Sequence, residues 1–233
     1  MRASTLLGLS LCFVFSTTPA ISQDVSVGTV RTHIEGIEIP PVPNAPFTAK
    51  VVVTWNQPLV GGGIVSRKYY TLVARDSQGR VRRETRVFVP ANSDAEPPLR
   101  SFTIFNPLSS TRTICTKASM TCDTSAFNPH LLLTENSGDN SNGNRQSLGQ
   151  QTIQGLPVTG TRETVSNSSG SRLALRRTDV WYSPDLHMAL SVIRSDPQLG
   201  EVTLNVTNLV QGEPDSTWFE IPSGYEVKGA SSQ

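Results

Sequence analysis

Residues 201–207 read Glu-Val-Thr-Leu-Asn-Val-Thr, and this strict alternation of polar with apolar side chains is the pattern of a strand with one buried face. Ala49, Val51, Val53 and Trp55, set against Lys50 and Thr54, repeat the same period of two. Wound as a helix, either stretch would scatter its apolar groups around the cylinder. Helical spacing of apolar residues never extends beyond two turns, apart from a faint pattern at Ser147–Gln154. Other strand-prone runs are Ile64–Arg75, Val81–Val89 (stopped by Pro90), Phe102–Ile104, Thr111–Thr116, Leu131–Thr134, Leu173–Tyr182 and Met188–Ile193. Turn chemistry separates them: Gly61-Gly62-Gly63, Asp76-Ser77-Gln78-Gly79, Asn106-Pro107 and Ser183-Pro184-Asp185. A strand entered through a turn is expected over Gly155–Glu163, and one helical turn over Glu213–Phe219. Many short strands with frequent turns predict an all-β domain with minor α content. Its form is a curved antiparallel sheet or, alternatively, a β-sandwich.

The ends of the chain carry a different composition. Met1-Arg2, the apolar stretch Leu6–Phe15 and Ser16-Thr17-Thr18-Pro19-Ala20 form a secretory signal pattern, with cleavage expected after Ala20 or Ser22. Residues 1–22 are therefore read as a leader and residues 23–46 as an extended arm. Ile39-Pro40-Pro41-Val42-Pro43 must be extended there, because proline fixes φ and donates no ladder bond. One domain is expected over 47–233. It is interrupted at residues 135–146 by a polar stretch without one apolar side chain, read as a mobile loop. No apolar run reaches the ~18 residues of a spanning helix, so no transmembrane segment is expected after leader cleavage.

Leader removal would take Cys12 with it and leave Cys115 and Cys122, which an oxidising compartment would join as a structural disulfide. Export places the chain in the periplasm or outside the cell. Lys plus Arg total 20 and Asp plus Glu total 19, a balance that gives no global attraction to nucleic acid.

Reactive chemistry is sparse. His33, His130 and His187 fall in no metal-ligand spacing, and no nucleophile elbow or phosphate loop is present. Neither a metal nor another cofactor is expected, and no catalytic residue is assigned. Asp179 and Asp185 flank Trp181 and Tyr182 in the manner a glycosidase could use, which leaves a hydrolase with a site assembled only in space as one alternative. The densest charge lies over residues 67–86, where Arg75, Arg80, Arg82, Arg83 and Arg86 could form an anion-binding or partner surface. Arg80, Arg82, Glu84 and Arg86 would share one strand face. The foremost alternative, ahead of the hydrolase, is therefore an interaction or scaffold module that docks an envelope protein through this hairpin. The aromatic residues are spread among the strands, where core packing is their ordinary role. A curled sheet with few helices leaves a concave face that can shelter an apolar ligand.

Several segments resemble a family of secreted bacterial proteins found mostly in acidobacterial-type genomes. They are Pro43–Ala49, Ala74–Glu84, Phe105-Asn106-Pro107 before the two cysteines, Ile153–Glu163, Trp181–Leu186 and Gly212–Asp215. The order of these motifs is also similar to the LolA/LolB-like group of outer-membrane lipoprotein-sorting proteins. The shared logic is Arg75-Asp76 with Gly79-Arg80, then Asn106-Pro107, then Gly155 with Gly160-Thr161-Arg162, then Trp181-Tyr182-Ser183-Pro184. The resemblance implies a half-open β-barrel around an apolar cavity and a lipid or other apolar ligand. It transfers no catalytic residue, and the lid helices common in that group have no counterpart in the pattern here.

Overall fold

The computed structural model describes residues 36–128, 144–169 and 172–228, with the side chains of 167–169 and 172–174 excepted. The expected leader, the first part of the arm, the Leu131–Thr134 strand and most of the 135–146 stretch lie outside the described residues. All thirteen described strands belong to one sheet. They are β1 (Phe47–Pro58), β2 (Ile64–Arg75), β3 (Val81–Arg86), β4 (Val89–Pro90), β5 (Leu99–Asn106), β6 (Thr111–Thr116) and β7 (Thr121–Ala126). After these come β8 (Asn144–Ile153), β9 (Leu156–Ser169), β10 (Arg172–Ser183), β11 (Met188–Asp196), β12 (Gly200–Gln211) and β13 (Glu226–Lys228). Their order across the sheet is β13-β7-β6-β5-β3-β2-β1-β12-β11-β10-β9-β8, with β4 lying beside β2. Neighbours are antiparallel except β13, which runs parallel to β7. The sheet is curved and unclosed, a half-open barrel, so the sandwich alternative is not realised.

Pairing of β1 with β12 turns a short meander into a long sheet. The two alternating segments meet there, Val53 opposite Leu204 and Val51 opposite Val206, so their apolar residues fall on one face. Two expectations fail locally. Ser147–Gln154 is strand and turn rather than helix: β8 pairs with β9 through a two-residue turn in which Gln154 (φ 52°) and Gly155 (φ 80°) both take positive φ. Val81–Val89 is not one strand, because pairing stops at Arg86 and Phe88 turns aside to pack on Tyr69 and Trp55. The expected helical turn is present as a 3-10 turn at Ser216–Phe219, capped by the Asp215 carboxylate, which accepts from the Thr217 N–H.

The described part of the arm, residues 36–46, runs without sheet pairing along one end of the sheet. Ile37 and Ile39 are buried in the apolar cluster, and Asn44 N–H donates to Ser77 O. Gly79 lets the arm pass: a Cβ there would stand 2.8 Å from Pro41 O.

Candidate functional site

Alternation along the strands builds a continuous apolar face. Phe47, Ala49, Val51 and Val53 of β1 join Val73 of β2, Val81 of β3 and Val158 of β9. Met188, Leu190 and Val192 of β11 and Leu204 and Val206 of β12 complete it. Off the sheet, the described residues add Ile37 and Ile39 from the arm, Leu186 from the β10–β11 turn, and Phe88 at the margin. Arg75 identifies this as the concave side. Its guanidinium donates to Leu186 O at 2.7 Å, although a flat sheet would hold β2 and β10 ~19 Å apart, four strand spacings.

Arg75 corrects the expectation of a basic surface most sharply. It is fully buried, donates also to Ala45 O and Pro40 O at 2.9 Å, and stacks on the Phe47 ring. Burial lowers its pKa to about 10, partly opposed by Tyr182. It faces into the protein and ties arm and turn to the sheet.

The other four arginines do not share a surface either, because alternation along β3 sends Arg83 inward and Arg82 and Arg86 outward. Arg82 lies 4.0 Å over the Phe102 ring and donates to Trp218 O at 3.1 Å. Arg86 sits 10% exposed between Glu84 (2.8 Å) and Glu96 (2.9 Å), above the Tyr70 ring. Arg80 is bound to the buried Asp76 carboxylate and stacks on Phe219. Arg83 is 4.0 Å from Glu38. Arg83 and Arg194 both act on Tyr69, whose phenol pKa is raised by burial and pulled back by the two cations. The apolar concave cluster thus has a polar fringe at Tyr69, Arg83 and Arg194.

Cys115 and Cys122 face each other across β6 and β7 and form the expected disulfide, both sulfurs fully buried. With Phe102 and Ile104 they make a second, smaller cluster on the convex side, covered by Ile221 and Tyr225. No arrangement of acid, base and nucleophile is assembled among the described residues named above. Asp179 accepts two hydrogen bonds of 2.7 Å from Arg162, which hold its carboxyl below the usual range, unsuited to donating a proton. Asp185 and His187 lie exposed in the β10–β11 turn. Among the described residues no group of three His, Cys, Asp or Glu could hold a metal ion, and no helix is long and apolar enough to cross a membrane.

Sequence reasoning missed the insertion of Ile37 and Ile39, whose apolar pair spaced by Glu38 was the available signal. It placed Arg82, Glu84 and Arg86 on one face, as they are, but missed that Arg75 is buried.

No family model and no curated protein matches this chain. Among solved structures, it is similar to LprF from Mycobacterium bovis at 15% identity, covering 77% of this chain and 90% of that one, with a TM-score of 0.34. MucB is similar at 12% identity over 79% of this chain and 60% of that one, with a TM-score of 0.40, so the chain spans about three fifths of MucB. The lipoprotein LppX from Mycobacterium tuberculosis is similar at 17% identity, over 72% of this chain and 88% of that one, with a TM-score of 0.29.

Proposed function

We propose that the protein is an exported, non-enzymatic envelope protein that holds an apolar or lipid-like ligand against the concave face of its half-barrel. One observation carries the reading: a single-layer sheet presents buried apolar side chains from six strands, β1, β2, β3, β9, β11 and β12, on one side. A sheet face of this kind ordinarily meets a second layer of secondary structure. Among the described residues its cover is the arm, one turn, Phe88 and the sheet's own curvature, which leave these side chains at most 5% exposed, so a ligand would enter by displacing that cover. An apolar body against the concave face and a polar head near Tyr69, Arg83 and Arg194 is the ligand chemistry that fits. The leader pattern and the disulfide support export into an oxidising compartment. The segments similar to the LolA/LolB-like group point in the same direction.

What weighs against the scaffold reading is that Arg75 is internal and that Arg80, Arg82 and Arg86 each engage groups of this same chain. The test is titration of the lipid-stripped protein with cis-parinaric acid. Saturable one-site binding, displaced by palmitate and reduced in Leu190→Gln, is expected. Absence of saturable uptake by the folded protein would refute the reading.

A further inference from the structure

The two ends of the sheet differ in chemistry. Where β1 turns into β2, the tip Leu59-Val60-Gly61-Gly62-Gly63 projects, with Val60 wholly exposed, Leu59 49% exposed and the neighbouring Ile64 69% exposed. The register places Glu201 opposite both Asn56 and Ser195, so the β11–β12 turn carrying Leu199 lies beside this tip. Arg177 opposite Ser195 brings Leu175 to the same end. A cavity of about 670 Å3 opens between the two hairpins, with Pro58, Ile64, Leu175 and Pro197 on its walls. Five of the eleven large exposed apolar side chains among the described residues, Leu59, Val60, Ile64, Leu175 and Leu199, therefore gather at one end. Behind them stands Trp55, whose indole donates to Leu199 O at 2.9 Å and whose ring lies 5.8 Å from the Arg67 guanidinium. Lys68, Arg176 and Arg177 lie at the same level, the two arginines 3.2 Å and 3.8 Å from Asp196 and Asp179. Turns at the opposite end carry Asp185, Glu213 and Asp215.

We propose that this end is a membrane-docking tip: Leu59, Val60 and Ile64 enter the acyl region of an anionic bilayer while Arg67, Lys68, Arg176 and Arg177 remain among the phosphates. Three features favour a bilayer over a protein partner. The tip is convex, and a Cβ at any of its three glycines would meet nothing within 4 Å, so it offers no fixed shape for a protein pocket to match. Basic neighbours just behind an apolar crest are the arrangement stable at a lipid–water interface. Asp196 and Asp179 take up Arg176 and Arg177, which leaves Arg67 and Lys68 as the charge that meets a negative surface. The inference does not depend on what the hollow holds.

The experiment is flotation of the full exported chain with vesicles of phosphatidylethanolamine and phosphatidylglycerol. The combined variant Leu59→Ser, Val60→Ser, Ile64→Ser is expected to lower the partition coefficient about tenfold or more. Leu108→Ser with Val210→Ser, equally exposed side chains at the opposite end, should leave it within about twofold of the parent. In a second measurement, the added indole of Val60→Trp should shift its emission to shorter wavelength on vesicle addition and be quenched by brominated acyl chains. Parinaric acid binding without vesicles should be the same in all these variants, which separates failure of the tip from failure of the ligand reading. Equal flotation of parent and tip variant, or emission from the Val60→Trp variant that vesicles leave unchanged, would overturn the proposal.

Discussion

The concave and convex sides of this sheet are stabilised by different means. On the concave side, side chains from six strands join one apolar cluster, and the contribution scales with the area withdrawn from water. On the convex side the buried cluster contains four residues, Phe102, Ile104, Cys115 and Cys122. A covalent bond, stacked arginines and the C-terminal segment replace area there. The difference shows how a one-layer fold divides its labour. One face is held by abundant apolar area, whereas the other is kept closed by specific, replaceable contacts.

The largest expected effect strikes the concave side. Leu204→Ala and Leu190→Ala, both fully buried, should each lose about 2–5 kcal/mol in urea unfolding, and saturating palmitate should recover part of that loss. Equal losses with and without ligand would mean that the face is a closed core. Next comes the convex staple. The cysteines are seven residues apart, so replacing both with Ala should cost about 2–3 kcal/mol and leave parinaric acid affinity unchanged. Loss of affinity in that variant would show that the two sides are coupled.

A smaller effect is expected at the β9–β10 contact. A Cβ on Gly160 would stand 2.6 Å from the Trp181 ring and 2.8 Å from Leu148 Cβ. Gly160→Ala should therefore destabilise by about 1–3 kcal/mol, read as a lower thermal midpoint. The smallest effect is electrostatic. Arg162 depresses the Asp179 pKa, so the pair stabilises the fold above the ordinary carboxylate pKa and its contribution fades as pH falls through the depressed value. The gap between parent and Asp179→Asn should shrink from about pH 5 toward about pH 2. A gap constant over that interval would place the role of Asp179 in its shape and not its charge.

Much of the strand pattern is legible in the sequence, because alternation at 49–55 and 201–207 names both the element and its buried side. Glycine and proline turns mark most ends, and Cys115 with Cys122 needed only the spacing and the compartment. Three features escaped for physical reasons. In β8, Leu148 and Ile153 are too few among polar residues to show strand alternation, and only pairing with β9 fixes them as strand. Alternation separates Arg82 from Arg83, but which of the two faces inward is decided only when β3 pairs with β5. Arg75 looks like a surface cation, yet three carbonyls from remote segments receive it in the interior. Contacts between residues as far apart as Arg75 and Leu186 leave no local trace. The concave side was therefore legible as a face but not as a shape.

The most direct test of the central claim is native mass spectrometry of the chain released gently from the envelope of producing cells. The account predicts a discrete excess mass on the folded protein, removed by organic solvent and recovered as an apolar molecule. A folded protein at its bare sequence mass that also gains none on incubation with phospholipid or fatty acid would contradict it.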